Sequence, residues 1–479
     1  MNELQFEALL PFMVLAAASM AVILLIAFRM SHTVIQIAAF FMACLVILAM
    51  WYVKDTLPQQ VLPLLVVDGF GALFTGMIIF SMMAVGLFSY IYFEEREENP
   101  KEYYILLFLA TLGAAILTIS IHFISFFIGL EILSVSLYAL IAYLRNRNHA
   151  VESGMKYLML AAVSSAFLLF GMALIYMETG SMEFAAIAQS VEKSSSSVLF
   201  MMGFGIMLVA IGFKLALVPF HLWAADVYQG APSPVTAFIA TVSKIGVFAV
   251  LLRFAQSVNL QQYPLMMSTF SIIAIASMIV GNLLALRQQN IKRLMGYSSI
   301  AHFGYLLVAF LPGNAAGVEA AAFYLIAYSI TLLAVFGVIS VLSTRMKDAE
   351  DLAMYKGLFY KRPVLSAVLI ISFLSLAGIP LTAGFIAKFF VLASGVHQHL
   401  WLPVIVLVIT SVIGLYYYLR VISTLFAATP STGSVPKTLH PFFYITTYIT
   451  LIIMMIVLCW LGIFPDSTVE GIRAFLLIR

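Results

Sequence analysis

Six ionisable side chains stand in stretches that are otherwise apolar: Glu131, Lys214, His221, Lys244, His302 and Lys388. A lysine at the centre of a membrane helix costs roughly 2.5–3.5 kcal/mol on insertion scales, so three of them mark an interior that is polar for a reason. Side chains of these types take up and release protons or hold an ion in passage. Lys214 and Lys244 bracket the densest stretch, GFKLALVPFHLWAADVYQGAPSPVTAFIATVSKIG from Gly212 to Gly246, with Pro219, Pro232 and Pro234 between them. Pro219 has no amide hydrogen to offer the Leu215 carbonyl, so a helix should break about one turn past Lys214. Inside a bilayer a broken helix survives only where it is packed in protein or lines a wet cavity. The stretch therefore implies a buried, hydrated ion path.

Each of these residues has a definite place. Glu131, in HFISFFIGLEILSVSLYAL, lies near mid-span. An isolated carboxylate there protonates or finds a cation. Lys214 is at similar depth, and the two are expected to form a switchable pair, the alternative being a static ion pair. Lys244 has no neutralising neighbour in sequence. It is either a proton acceptor and donor or an ammonium held by carbonyls freed at a helix break. Lys388 follows Pro380 and is placed as an exit station, unless it snorkels to the headgroups. His221 follows the Pro219 break, and His302 sits in MGYSSIAHFGYLLVAF among Tyr297, Ser298, Ser299 and Tyr305. Either histidine relays protons or is a satisfied structural group. Arg420, in GLYYYLRVISTLF, keeps its proton, so snorkelling or a structural pairing is expected of it. Asp68 is expected to cap the third span, and Asp226 to cap or pair at the inner end of the seventh.

The elements that must position these groups follow from composition. Of 479 residues, 63% are hydrophobic and 9% charged, and the mean hydropathy is +1.09. Soluble domains carry about 25% charged residues, so the chain is an all-α polytopic membrane protein. Fourteen apolar spans are predicted, near 8–28, 33–52, 69–93, 103–120, 122–144, 154–177, 198–228, 235–254, 266–286, 294–311, 318–344, 363–392, 401–427 and 441–464. Span 7 is broken at Pro219 and span 12 at Pro380, in SLAGIPLTAGFIAKFF. Each is the fourth span of a five-span block, 4–8 and 9–13. Five is odd, so the blocks have inverted topology, and paired broken helices in inverted halves point to a transport site. The division expected is residues 1–102 for spans 1–3, 103–254 for the first repeat, 255–427 for the second, and 428–479 for span 14 and the tail.

Loops after odd-numbered spans hold fifteen of the lysines and arginines, and loops after even-numbered spans plus the tails hold five. Among the fifteen are Arg96, Arg147, Lys156, Lys292, Arg293, Arg345, Lys347 and Lys437; Arg253 is among the five. The excess of positive charge stays inside, so both termini are expected outside. The first twelve residues carry no Lys or Arg and lack the basic start of a cleaved signal peptide. Cys44 and Cys459 lie far apart in apolar runs, without the spacing of a metal or cluster site. There is no G-x-G-x-x-G, no P-loop and no histidine pair placed to hold haem. Redox chemistry or ATP hydrolysis would belong to a partner.

The motifs VDGF, GLEILSVSLYAL, GFKLALVPFHLWAADVYQGAPSPVTAFIATVSKIGVF, NIKRLMGYSSIAHFGYL, LSLAGIPLTAGFIAKFFVL and GLYYYLRV run the length of the chain. With them it closely resembles the antiporter-like membrane subunits of the bacterial proton-pumping NADH:quinone oxidoreductase, respiratory complex I. GIPLTAGFIAKF, with a chain ending soon after span 14, resembles the subunit-N family in particular. The family's longest member carries a further lateral helix, for which this chain has no room. The loops at 94–102 and 429–440 look divergent. The resemblance implies proton translocation coupled to electron transfer from NADH to quinone. It places Glu131 and Lys214 as a pair, Lys244 as the central lysine and Lys388 as the terminal one. It implies no cofactor in this chain; FMN, iron–sulfur clusters, NADH and quinone would lie with partner subunits. The partners implied are the other membrane-arm subunits, two of them antiporter-like and others small, together with the lipid bilayer and no nucleic acid. The place implied is the bacterial inner membrane, with periplasmic termini. Moving a charge from ~8 Å to contact at an effective dielectric near 20 changes the energy by about 2 kcal/mol, enough for remaking the Glu131–Lys214 pair to bias a transfer from Lys244 to Lys388. Two other readings stand beside this one, a sodium/proton antiporter subunit of the same superfamily and a non-conducting scaffold of the membrane arm.

Overall fold

The computed structural model describes residues 2–94, 96, 100–193, 198–344, 348–428 and 441–477. Of the positions weighed above, Arg345, Lys347, Lys437 and most of the loops at 94–102 and 429–440 lie outside the described residues. Twelve described helices are long and apolar enough to cross a membrane. Two further crossings complete the fourteen predicted. Span 10, Ile291–Phe310, is more polar than the others. Span 12 is divided into Pro363–Ala377 and Ala383–His397. Span 7 is divided in the same way, into Val198–Leu215 and Trp223–Gly230. Span 6 is longer than predicted, Asn148–Thr179, because the polar stretch before residue 154 continues the helix.

Both ends of the chain meet at one face. There Gln60 and Leu476 line one cavity, and Gln5 Nε2 donates to the Gln60 carbonyl at 2.9 Å. The terminal face also carries a two-stranded antiparallel hairpin, Gln59–Val61 with Leu65–Val67, the one sheet among the described residues. At the opposite face, the loop face, Asn290 and Asp351 form a bridge between two connections.

Spans 8 and 11 form the centre of the bundle. Span 8, Ser233–Ser257, is wholly enclosed by protein, and span 11, Ala315–Leu342, nearly so. Both can therefore be apolar on every side without facing lipid. Spans 1, 2 and 14 keep most of their surface exposed, as lipid-facing helices do. The five-span blocks 4–8 and 9–13 are inverted repeats. The first half of span 7 runs from the terminal face to mid-bundle, and the first half of span 12 runs there from the loop face. The two breaks thus meet the central helices from opposite sides.

Candidate functional site

The break in span 7 begins earlier than the proline alone dictates. Lys214 lies in the last turn of the first half-helix, which ends at Leu215. The Leu217 N–H donates to the Gly212 carbonyl at 2.8 Å, with Ala216 at φ 59° between them. This reversal closes the helix one residue past Lys214 rather than one turn past it. The irregular segment is satisfied by tertiary partners: Val218 N–H donates to Ser277 Oγ at 3.0 Å, and Trp223 Nε1 to the Phe213 carbonyl at 2.8 Å. Span 12 ends its first half at Gly378, with φ 80°, and resumes where Gly384 N–H donates to Ser375 Oγ at 3.1 Å. A Cβ on Gly378 would stand 2.9 Å from Lys388 Cδ, so glycine both makes the turn and admits the lysine.

Each lysine has a different cradle. Lys214 Nζ donates to Ser134 Oγ at 2.6 Å and faces the Tyr157 ring at 5.2 Å. Glu131, one turn before Ser134, instead accepts from Ser165 Oγ at 2.5 Å. The two side chains are not in ion-pair contact, each being taken up by a serine hydroxyl instead. The expected pair is therefore open, with Ser134 and Ser165 occupying the partners' places. Lys244 Nζ donates to Ser299 Oγ at 2.6 Å and lies 4.4 Å from the Phe303 ring. A π-helical turn, Ile239–Ser243, leads directly into Lys244; such turns within α-helices cluster at functional sites.

The carbonyl cradle weighed for Lys244 belongs to Lys388. Its Nζ donates to the carbonyls of Leu376 at 2.9 Å and Ala377 at 3.0 Å, both freed by the break in span 12. Lys388 is 8% exposed, so it does not snorkel. A cavity of about 10 Å³ for water centres, room for about one water, joins Lys388 to His302, Tyr324 and Tyr328.

Hydroxyls and one imidazole connect the two ends. Ser299 Oγ, bound to Lys244, also accepts from Tyr328 OH at 2.6 Å. His302 lies one turn on and is satisfied at both nitrogens, Nδ1 with Tyr324 OH at 2.7 Å and Nε2 with Tyr418 OH at 3.0 Å. Tyr418 OH contacts Ser298 Oγ at 2.5 Å. Of the lining expected on span 10, Ser298, Ser299 and His302 join this network, and Tyr305 presents its ring to Lys388 at 5.4 Å. Tyr297 turns away, toward Arg293. His221 is buried with Nδ1 unpartnered, and it takes no part in the contacts that join Lys244 to Lys388.

Sequence reading missed two charge clusters and most of the hydroxyl partners. Arg253, assigned to a loop, lies in span 8 and forms a two-pronged pair with Asp68, both bonds 2.8 Å. Asp68 also caps span 3 as expected, accepting from Gly71 N–H at 2.7 Å. At the loop face Asp348 takes Lys292 at 3.1 Å, Arg147 at 2.9 Å and Arg96 at 3.7 Å, with Tyr92 OH donating at 2.7 Å. Burial alone would raise the Asp348 carboxyl, but the three cations hold it well below the ordinary carboxylate range. Asp226 pairs with Arg293 at 2.6 Å, as foreseen. Arg420 donates to the Leu286 carbonyl at 2.9 Å and the Gln288 carbonyl at 2.6 Å, closing the end of span 9.

Comparison with known proteins agrees with this architecture. The family described as NADH:quinone oxidoreductase/Mrp antiporter, TM, matches residues 120–414. A chain of respiratory complex I from Thermus thermophilus, solved with bound aureothin, is 31% identical with a TM-score of 0.83, covering 96% of this chain and 98% of that one. A chain of the membrane-bound sulfane sulfur reductase, an archaeal respiratory membrane complex, is 25% identical with a TM-score of 0.87, covering 99% and 98%. A chain of the Mrp complex from Dietzia sp. DQ12-45-1b shares the fold at 20% identity, with a TM-score of 0.85 and 98% and 97% covered. The chain therefore belongs to the NADH:quinone oxidoreductase/Mrp antiporter membrane family, as an antiporter-like subunit of the kind found in complex I.

Proposed function

We propose that this chain is the subunit-N-type member of the membrane arm of an NADH:quinone oxidoreductase, and that it carries protons across the membrane. One observation carries the reading. Three buried lysines lie at mid-bundle, Lys214 and Lys388 on the two broken helices and Lys244 on the enclosed span 8 between them in sequence, and the second and third are linked through Ser299, Tyr328, His302 and one water-sized cavity. Such a row has little structural use, because apolar residues would fill the same volume at lower cost. Lys244 loads from the cytoplasmic side, the Glu131–Lys214 charges bias it as they close and open, and Lys388 passes the proton outward. In this reading the loop face is cytoplasmic and the termini periplasmic, in a bacterial inner membrane; the excess of basic residues in the loops of that face supports it. Electron transfer from NADH to quinone, with FMN and iron–sulfur clusters, belongs to partner subunits, and other antiporter-like and small membrane subunits flank this one.

The test uses Lys244→Ala in assembled complex in sealed vesicles, with NADH oxidation and proton uptake recorded together. Both should collapse while the complex stays assembled. Wild-type values for both would remove Lys244 from the path and leave the chain a scaffold. A second reading is favoured by the Mrp likeness: a sodium/proton antiporter subunit of the same fold. Sodium-dependent proton exchange with no response to NADH would select it.

A further inference from the structure

The contact network accounts for how a proton reaches Lys388 but not for how it leaves. Spans 11 and 12 hold two separate cavities along their shared seam. The inner one, described above, is lined by Tyr324 and Ala327 of span 11 and by Ala387 and Lys388 of span 12. The second is a vestibule of about 480 Å³ at the terminal face, lined by Glu319 and Ala320 of span 11 and by Phe390, Ser394 and His397 of span 12. From Ala320 to Tyr324 is one helical turn, about 6 Å at 1.5 Å per residue.

What separates the cavities is an aromatic pair. Phe323 and Phe390 meet edge to face, with ring centroids 5.2 Å apart and planes at 84°. Phe323 is fully buried between the residues that line the two spaces. Just beyond the pair stands Ser394, which is 5% exposed and whose Oγ has no hydrogen-bond partner although it lines the vestibule. A buried hydroxyl left open in this way fits a place that water visits. Glu319 follows, held by Arg473 Nε at 2.9 Å from the amphipathic helix Asp466–Leu477. The sequence of groups is thus lysine, apolar constriction, open hydroxyl, carboxylate and exposed face.

The geometry points to an exit between spans 11 and 12: the proton leaves Lys388 across the Phe323–Phe390 pair into a vestibule whose receiving groups are Ser394 and Glu319. This rests on the pump reading given above. Lys388 gives up one N–H proton to water and becomes neutral; the water carries it past the rings when they part and yields it to the vestibule. A hydrophobic constriction of this kind stops conduction by excluding water, so the closed pair prevents back-leak.

The experiment uses assembled complex in sealed vesicles without NADH, and reads the decay of an imposed pH gradient. Phe390→Ala should speed the decay several-fold, and adding Lys388→Met to the same chain should reverse it. In a form with Cys44 and Cys459 replaced by serine, Ser394→Cys should react with a membrane-impermeant thiol reagent added at the terminal face. Ala327→Cys should react only when Phe390→Ala is also present. A gradient held as tightly by Phe390→Ala as by the parent, or a Ser394→Cys that stays unlabelled, overturns the exit. In that event Lys388→Met separates the causes. If it abolishes NADH-driven pumping, the pump stands and its exit lies elsewhere; if pumping continues, the pump reading fails as well.

Discussion

Ser299→Ala is a sharp probe of how the central lysine works. Ser299 Oγ accepts from Lys244 Nζ at 2.6 Å and from Tyr328 OH at 2.6 Å, in a place wholly enclosed by spans 8, 10 and 11. The substitution removes one oxygen and leaves three donors, Lys244 Nζ, Tyr328 OH and the more distant Tyr228 OH at 3.4 Å, facing a methyl group. A hydrogen bond to a charged group contributes about 1.5–3 kcal/mol, and 1.4 kcal/mol is a factor of ten. Any transfer step that passes through Lys244 should slow by about ten- to a hundred-fold. The cavity created is small, so the complex should assemble. The assay is NADH oxidation with proton uptake in sealed vesicles, beside a native-gel check of assembly. Ser299→Thr keeps the oxygen and should recover most of the rate. If Ser299→Ala runs at the parent rate with an unchanged proton-to-electron ratio, the Lys244–Ser299–Tyr328 contact is no part of the path.

Three other perturbations have outcomes worked from geometry. Gly378→Ala places a Cβ 2.9 Å from Lys388 Cδ on a residue at φ 80°, which costs about 1–2 kcal/mol in backbone strain and pushes the lysine off its two carbonyls; pumping should fall more than thermal stability does. Arg253→Met leaves the Asp68 carboxylate buried without its partner, a loss of about 3–5 kcal/mol that should appear as a lower unfolding temperature in detergent, with Asp68→Asn in the same chain restoring part of it. Asp348→Asn leaves Lys292, Arg147 and Arg96 facing a neutral amide and should weaken assembly at neutral pH. Because the folded carboxyl is held below its unfolded value, its stabilisation is fully present above about pH 4 and fades only as the medium is acidified further, so the gap between parent and variant should be flat from pH 6 to 8 in a thermal-shift series.

Large features were legible because they depend on composition and on proline. Fourteen spans follow from apolar runs, and Pro219 and Pro380 announce the breaks whatever surrounds them. The cradles were illegible because they are tertiary. Ser134, Ser299 and Tyr328 look like the many other hydroxyls of apolar helices, which commonly turn back to a carbonyl of their own helix, as Ser134 also does to Leu130 at 2.6 Å. Sequence shows that Lys388 needs a partner but not that two carbonyls of its own broken span supply it. Arg253 read as a loop residue because a charge near the end of an apolar run is where loops usually begin. Only the fold brings Asp68, 185 positions away, against it. Lys292 deceived for the same reason, since Asp348 arrives from a connection 56 positions later.

The Asp348 cluster has a consequence for how the chain is made. Its cations come from the end of span 3, from the connection between spans 5 and 6, and from the start of span 10, while the carboxylate follows span 11. During synthesis the three positive charges are complete before the negative one exists. Until then they should stay hydrated at the membrane surface on the loop face, since positive charges resist translocation. When Asp348 emerges, they are drawn together and Lys292 and Arg96 are sealed from solvent. The same residues serve first as separate topological anchors and later as one clasp, so a ribosome-bound chain stopped before residue 348 should be correctly threaded yet loosely packed.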